Sequence, residues 1–130
     1  MVTDEDLQRL REGYEAFNER DFETVIDRIS LDIEISDRAE VPDPQSYSGR
    51  DQVLEQFKAV SEEFDDYRLD VLELIPSGDY IVVVLRQSGR GRLSGVPVEG
   101  ELCHVWEVED GRTIGMRAFT SREEALAAAS

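Results

Sequence analysis

The chain has 130 residues, 30 of them acidic and 14 basic, a net charge of −16 and one cysteine, Cys103. That length suits a single domain with a real hydrophobic core, the acid excess repels nucleic-acid phosphates and anionic lipid, and a lone cysteine cannot form an internal disulfide. Nucleic acid, a membrane partner and a disulfide scaffold are thereby set aside, and without an apolar leader or span the expected compartment is the cytoplasm.

Thr3 is a helix cap, followed by Leu7, Leu10, Tyr14 and Phe17 at the three-to-four spacing of one apolar stripe. Asp21 caps a second helix that turns Phe22, Val25, Ile26 and Ile29 inward. A short strand, Asp32 to Ser36, precedes a polar loop from Asp37 to Tyr47 that carries Pro42 and Pro44. Ser48-Gly49 opens a third helix with Val53, Leu54, Phe57 and Val60 on one side. Long strands are expected over Tyr67 to Ile75, Tyr80 to Arg92 and Val98 to Val108, and a fourth over Thr113 to Thr120. Ser121 and Glu124 form the S-x-x-E signature of a final capped helix.

The segment Glu99 to Glu124 carries the most information. Leu102, His104, Trp106 and Val108 alternate with Cys103, Val105 and Glu107, the period of a strand. Asp110-Gly111 then supplies the two positive-φ positions of a type I′ hairpin turn. A regular two-residue hairpin pairs His104 with Arg117 and Cys103 with Ala118. One face then collects Leu102, His104, Trp106, Arg117 and Phe119, and the other Cys103, Val105, Ile114, Met116 and Ala118. Each face is a candidate pocket or subunit interface.

Helices followed by an antiparallel meander give an α+β domain, a curved antiparallel sheet wrapped around N-terminal helices with a cavity between them. The chain resembles the SnoaL-like and ketosteroid-isomerase-like proteins of the nuclear transport factor 2 superfamily over nearly its whole length. The resemblance rests on Phe17-Asn18-Glu19-Arg20-Asp21, Tyr47-Ser48-Gly49-Arg50-Asp51, His104-Val105-Trp106 with Asp110-Gly111, and Met116-Arg117-Ala118. It specifies the fold better than the chemistry, because members include isomerases, polyketide cyclases, dehydratases and epoxide hydrolases.

Carried over residue by residue, the resemblance puts Asp37 where ketosteroid isomerases keep a general base, able to take a proton α to a carbonyl. It puts Cys103 at the position of the protonated acid of that enzyme's oxyanion hole and Gly13 at the tyrosine position. Tyr14, one step on, is then turned about 100° away. Tyr14 or Tyr47 is the candidate proton donor, and His104 a further titratable candidate. The same alignment lines a cavity with Tyr14, Phe17, Phe57, Val84, Cys103, Val105, Met116 and Ala118, with Asp37, Tyr47 and Arg86 as polar contacts. It turns Leu102, His104, Trp106, Arg117 and Phe119 onto an outer face that packs against a second copy in a homodimer. One histidine among scattered acids offers no metal-ligand set, and no cofactor is expected. The sequence therefore reads as a domain that binds a small, uncharged, apolar molecule such as a polyketide, terpenoid or steroid-like compound. The alternative is a cofactor-independent isomerase, cyclase, dehydratase or hydrolase with Asp37 as base.

Overall fold

The structure is a computed structural model that describes residues 2–27, 29–36 and 46–130. Helices α1 (Asp4–Asn18) and α2 (Phe22–Asp27) lead into β1 (Ile29–Ser36), β2 (Ser46–Ser48) and α3 (Gly49–Glu63). Four strands follow, β3 (Phe64–Ser77), β4 (Tyr80–Gly91), β5 (Pro97–Glu109) and β6 (Arg112–Phe119), and then α4 (Arg122–Ala128). The strands form one curved, unclosed sheet in the order β2-β1-β6-β5-β4-β3, with β1 parallel to β6. Among the described residues no helix is long and apolar enough to cross a membrane.

Local chemistry sets the helix ends. The Thr3 hydroxyl accepts from the Asp6 amide while the Asp6 carboxylate accepts from the Thr3 amide, a closed capping box. Asp21 accepts from the Thr24 amide at 3.3 Å, and Ser121 from that of Glu124 at 3.3 Å. Leu10, Tyr14 and Phe17 are buried, so the stripe of α1 faces the sheet. Asn18 then fastens α1 to β3: its side-chain amide donates to the Leu69 carbonyl and accepts from the Leu69 N–H, both at 2.9 Å. That pair satisfies backbone groups on the free edge of β3 that would otherwise need water or another strand.

The chain departs from the sequence reading at several element ends, β3 for one beginning at Phe64 rather than Tyr67. Ile29 begins β1 rather than ending α2, because Ile26 and Ile29 share a helical spacing that the strand also tolerates. The three residues of β2 pair with Glu34 to Ser36, and two of them, Ser46 and Tyr47, come from the end of what reads as a polar loop.

The consequential difference is one residue in the β5–β6 hairpin. Asp110 and Gly111 do form the two-residue turn, with φ of 51° and 78°, and Glu109 pairs with Arg112. Val108 then pairs with Thr113 but Glu107 with Gly115, leaving Ile114 as an extra residue. Such a bulge shifts everything beyond it by one position. His104 consequently pairs with Ala118 instead of Arg117, and Trp106 with Met116. Leu102, His104 and Trp106 share the helix-facing side of the sheet with Met116 and Ala118, and Leu102, Trp106 and Met116 belong to the main core.

The other face collects Val82, Val84, Cys103 and Val105, all at most 2% exposed, under Ala125 and Ala129. The expected homodimer face is corrected accordingly. Of its five residues, Leu102, His104 and Trp106 point inward and are 7–8% exposed. Arg117 and Phe119 alone stay outside, where the guanidinium lies over the Phe119 ring and donates to the Ala128 carbonyl. The apolar patch that argued for a second copy is therefore absent from that face.

Candidate functional site

A cavity of about 420 Å³ lies between α1, α3 and the sheet. Its walls are mainly apolar, with Leu10 and Phe17 from α1, Phe57 and Val60 from α3, and Leu102, Trp106 and Met116 from the sheet. This volume falls within the roughly 300–1,000 Å³ of small-molecule sites. The bulge at Ile114 places Met116 and Ala118 on the same face of the sheet as His104, and all three line this space.

Tyr14, His104 and Trp106 meet there. The Tyr14 hydroxyl oxygen is 2.6 Å from His104 Nδ1, and the Trp106 indole N–H donates to the same oxygen at 2.8 Å. The Tyr14 and His104 rings lie 5.9 Å apart at 28°, and Trp106 meets Tyr14 edge-on at 81°. The indole can only donate, so the phenol oxygen is an acceptor in that bond. The Tyr14 hydroxyl has no further partner among the described residues, and a buried O–H needs an acceptor. The arrangement that satisfies all three groups runs from Trp106 N–H to Tyr14 O–H to His104 Nδ1. It assigns the neutral imidazole its proton on Nε2.

Burial raises the Tyr14 phenol well above its ordinary value, and the bond from Trp106, which favours the phenolate, does not offset it. Tyr14 is thus a neutral hydroxyl at every physiological pH. Asp6 and Arg9 also border the cavity, but both charges are committed. Arg9 donates to the Gly111 carbonyl at 2.7 Å and pairs with Glu5 at 2.6 Å and Asp6 at 3.5 Å, and Asp6 is held in the capping box.

The sequence-derived candidates sort into three groups. Tyr14, Phe17, Tyr47, Phe57, His104, Met116 and Ala118 line the cavity. Tyr14 is not rotated away, because both Gly13 and Tyr14 reach the lining. Val84, Cys103 and Val105 lie on the opposite face under α4, and Arg86 is exposed beside Glu99, its ion-pair partner. Their place in the cavity, implied by the resemblance, is corrected: with Ile114 as the extra residue, Cys103 and Val105 share their face with Phe119 and Arg117 instead of Met116 and Ala118. The Cys103 thiol is pushed up first by burial and then by the Glu101 charge, which suits an inert core group. Asp37, the expected base, lies outside the described residues. No cluster of metal-ligating side chains occurs among the described residues. Gln56 and Gln87 also line the cavity and were not singled out from sequence. The signal for Gln87 was present, since it continues the inward alternation of Ile81, Val83 and Leu85.

The fold agrees with comparisons to known proteins. The SnoaL-like domain matches residues 10–116, most of the chain. The protein belongs to the SnoaL-like family. Among curated proteins none matches it. Among solved structures, a nuclear transport factor 2-like protein of Burkholderia thailandensis E264 is 28% identical, with a TM-score of 0.81 over 99% of this chain and 98% of that one. A nuclear transport factor 2-like protein of unknown function from Burkholderia pseudomallei K96243 is 25% identical, with a TM-score of 0.80 over 98% and 99%. A proposed SnoaL-like polyketide cyclase of Jannaschia sp. CCS1, at 18% identity, 96% and 91% coverage and a TM-score of 0.78, shares the fold.

Proposed function

We propose that this SnoaL-like domain binds an uncharged, largely apolar small molecule, of polyketide, terpenoid or steroid-like size, between its sheet and its helices. The observation that carries the reading is the cavity itself. Its walls are mainly apolar, and at its centre Tyr14, His104 and Trp106 are joined by hydrogen bonds through the Tyr14 hydroxyl. An anionic ligand would meet the field of a −16 chain and find Arg9, the one guanidinium that borders the cavity among the described residues, already paired. A neutral apolar ligand instead gains the burial of its own surface.

Trp106 is the chain's single tryptophan and lines the cavity, so its fluorescence reports occupancy. Titration with a neutral steroid ketone should give a saturable change, and the same skeleton carrying a carboxylate should not. Equal response to both, or none to either, would overturn the proposal.

Turnover is the second reading, favoured by a phenol and an imidazole hydrogen-bonded inside the cavity. In that reading Asp37 takes a proton α to a ligand carbonyl, with Tyr14 or Tyr47 as the proton donor. Deuterium exchange at the α-carbon of a bound ketone tests it. Asp37→Asn should stop the exchange and leave fluorescence-detected binding intact. Exchange that persists in Asp37→Asn would remove Asp37 as the base.

A further inference from the structure

The inward positions of β4 run Ile81, Val83 and Leu85, all fully buried, and the next inward position is Gln87. A glutamine ends an apolar alternation inside the cavity wall, beside Tyr67 and Val98. The Tyr67 hydroxyl donates to Gln87 Oε1 at 3.1 Å, which fixes which end of the amide is occupied. The Gln87 amide nitrogen has no hydrogen-bond partner among the described residues. Gln56, which lines the same cavity from α3, has none for its side chain. These donors stand apart from the Tyr14–His104 cluster. On the β4–β5 ladder His104 pairs with Val83 and Gln87 with Gly100, so four residues, roughly 14 Å, separate the two along β4.

We infer that Gln87, assisted by Gln56 from the helical wall, is a second recognition pole that selects a neutral ligand with a carbonyl or similar acceptor remote from His104. The inference rests on the small-molecule reading above and specifies its ligand class. A ligand that fills this end displaces the water satisfying the amide N–H groups. One that offers an acceptor replaces those bonds, and a plain hydrocarbon leaves buried donors unpaired. Discrimination therefore arises as much from rejecting the unfunctionalised molecule as from attracting the ketone.

Isotope-labelled protein titrated in parallel with acetophenone and ethylbenzene tests this by NMR, with Gln87→Leu and Gln56→Leu supplying the side-chain assignments. Both fragments should move the Met116 methyl and the Trp106 indole N–H. Acetophenone alone should move the Gln87 side-chain amide. Gln87→Leu should weaken acetophenone about three- to tenfold and leave ethylbenzene unchanged or tighter. An amide that ignores the ketone, or a variant that weakens both fragments equally, overturns the inference while leaving the binding reading in place. Neither fragment moving Met116 or Trp106 removes the binding reading and the inference with it. Should Gln87→Leu not fold, the wild-type amide shifts still decide. A ketone-specific loss in Gln56→Leu without any Gln87 shift overturns the assignment to Gln87.

Discussion

The Tyr14 hydroxyl and His104 Nδ1, 90 residues apart in sequence, lie 2.6 Å apart in the interior, and Trp106 donates to the same hydroxyl. This one oxygen ties α1 to β5 beside the cavity and holds the His104 ring in place. It supports the fold and sets the polarity of the site at once.

Tyr14→Phe removes that oxygen and strands two buried groups, the Trp106 N–H and the His104 Nδ1. The cost should be about 1–3 kcal/mol, the penalty of leaving buried polar groups without partners. Urea unfolding followed by Trp106 fluorescence measures it. A loss below a few tenths would mean that water takes over both bonds.

The same residue makes stability depend on pH in a defined direction. Tyr14 is raised in the folded state, chiefly by burial, so the folded protein keeps a proton that the unfolded chain gives up above about pH 10. Its contribution is complete below that value and falls as pH rises, by up to about 1.4 kcal/mol per unit, until the folded-state value is reached. Unfolding free energies of wild type and Tyr14→Phe compared between about pH 9 and pH 11 isolate this slope. Wild type should lose more stability over the interval than the variant, and parallel curves would mean that Tyr14 ionises in the folded state.

Much of the architecture was legible because it is written in local chemistry. The caps at Thr3 and Ser121, the stripe of α1 and the positive-φ pair Asp110-Gly111 each involve residues within a few positions of one another. The facing of the site was not legible, because it turns on Ile114, and one extra residue in a strand leaves no mark in an apolar pattern. Tyr14, Tyr47, Met116 and Ala118 were found as lining residues. His104 was recognised as titratable yet placed on the wrong face, and Cys103, Val105 and Val84 were exchanged with it. The boundary at Ile29 was lost to a spacing that helix and strand both accept.

Cys103 offers a test of the corrected facing that does not depend on a ligand. Its side chain is 0% exposed beneath α4, and burial together with Glu101 raises its thiol above the ordinary value. The thiolate is the reactive form. A neutral aromatic disulfide reagent should therefore label native protein far more slowly than urea-unfolded protein, and occupancy of the cavity should leave the rate unchanged. Protection of Cys103 by a cavity ligand would place the thiol on the helix-facing side after all.

Two neighbouring positions in β6 decide the register directly. A regular hairpin would put Arg117 opposite His104 inside the cavity, whereas the bulge puts Ala118 there and leaves Arg117 exposed. Arg117→Ala should then cost no more than about 1 kcal/mol, the scale of an exposed charge contact. Ala118→Arg would drive an uncompensated guanidinium among apolar walls beside His104. That should cost about 3–5 kcal/mol, the scale seen when a buried charge loses its partner, and abolish binding of neutral ligands. Thermal or urea unfolding of the two variants side by side is the measurement. The opposite ranking, a costly Arg117→Ala with a tolerated Ala118→Arg, would return the hairpin to the regular register and move His104 out of the site.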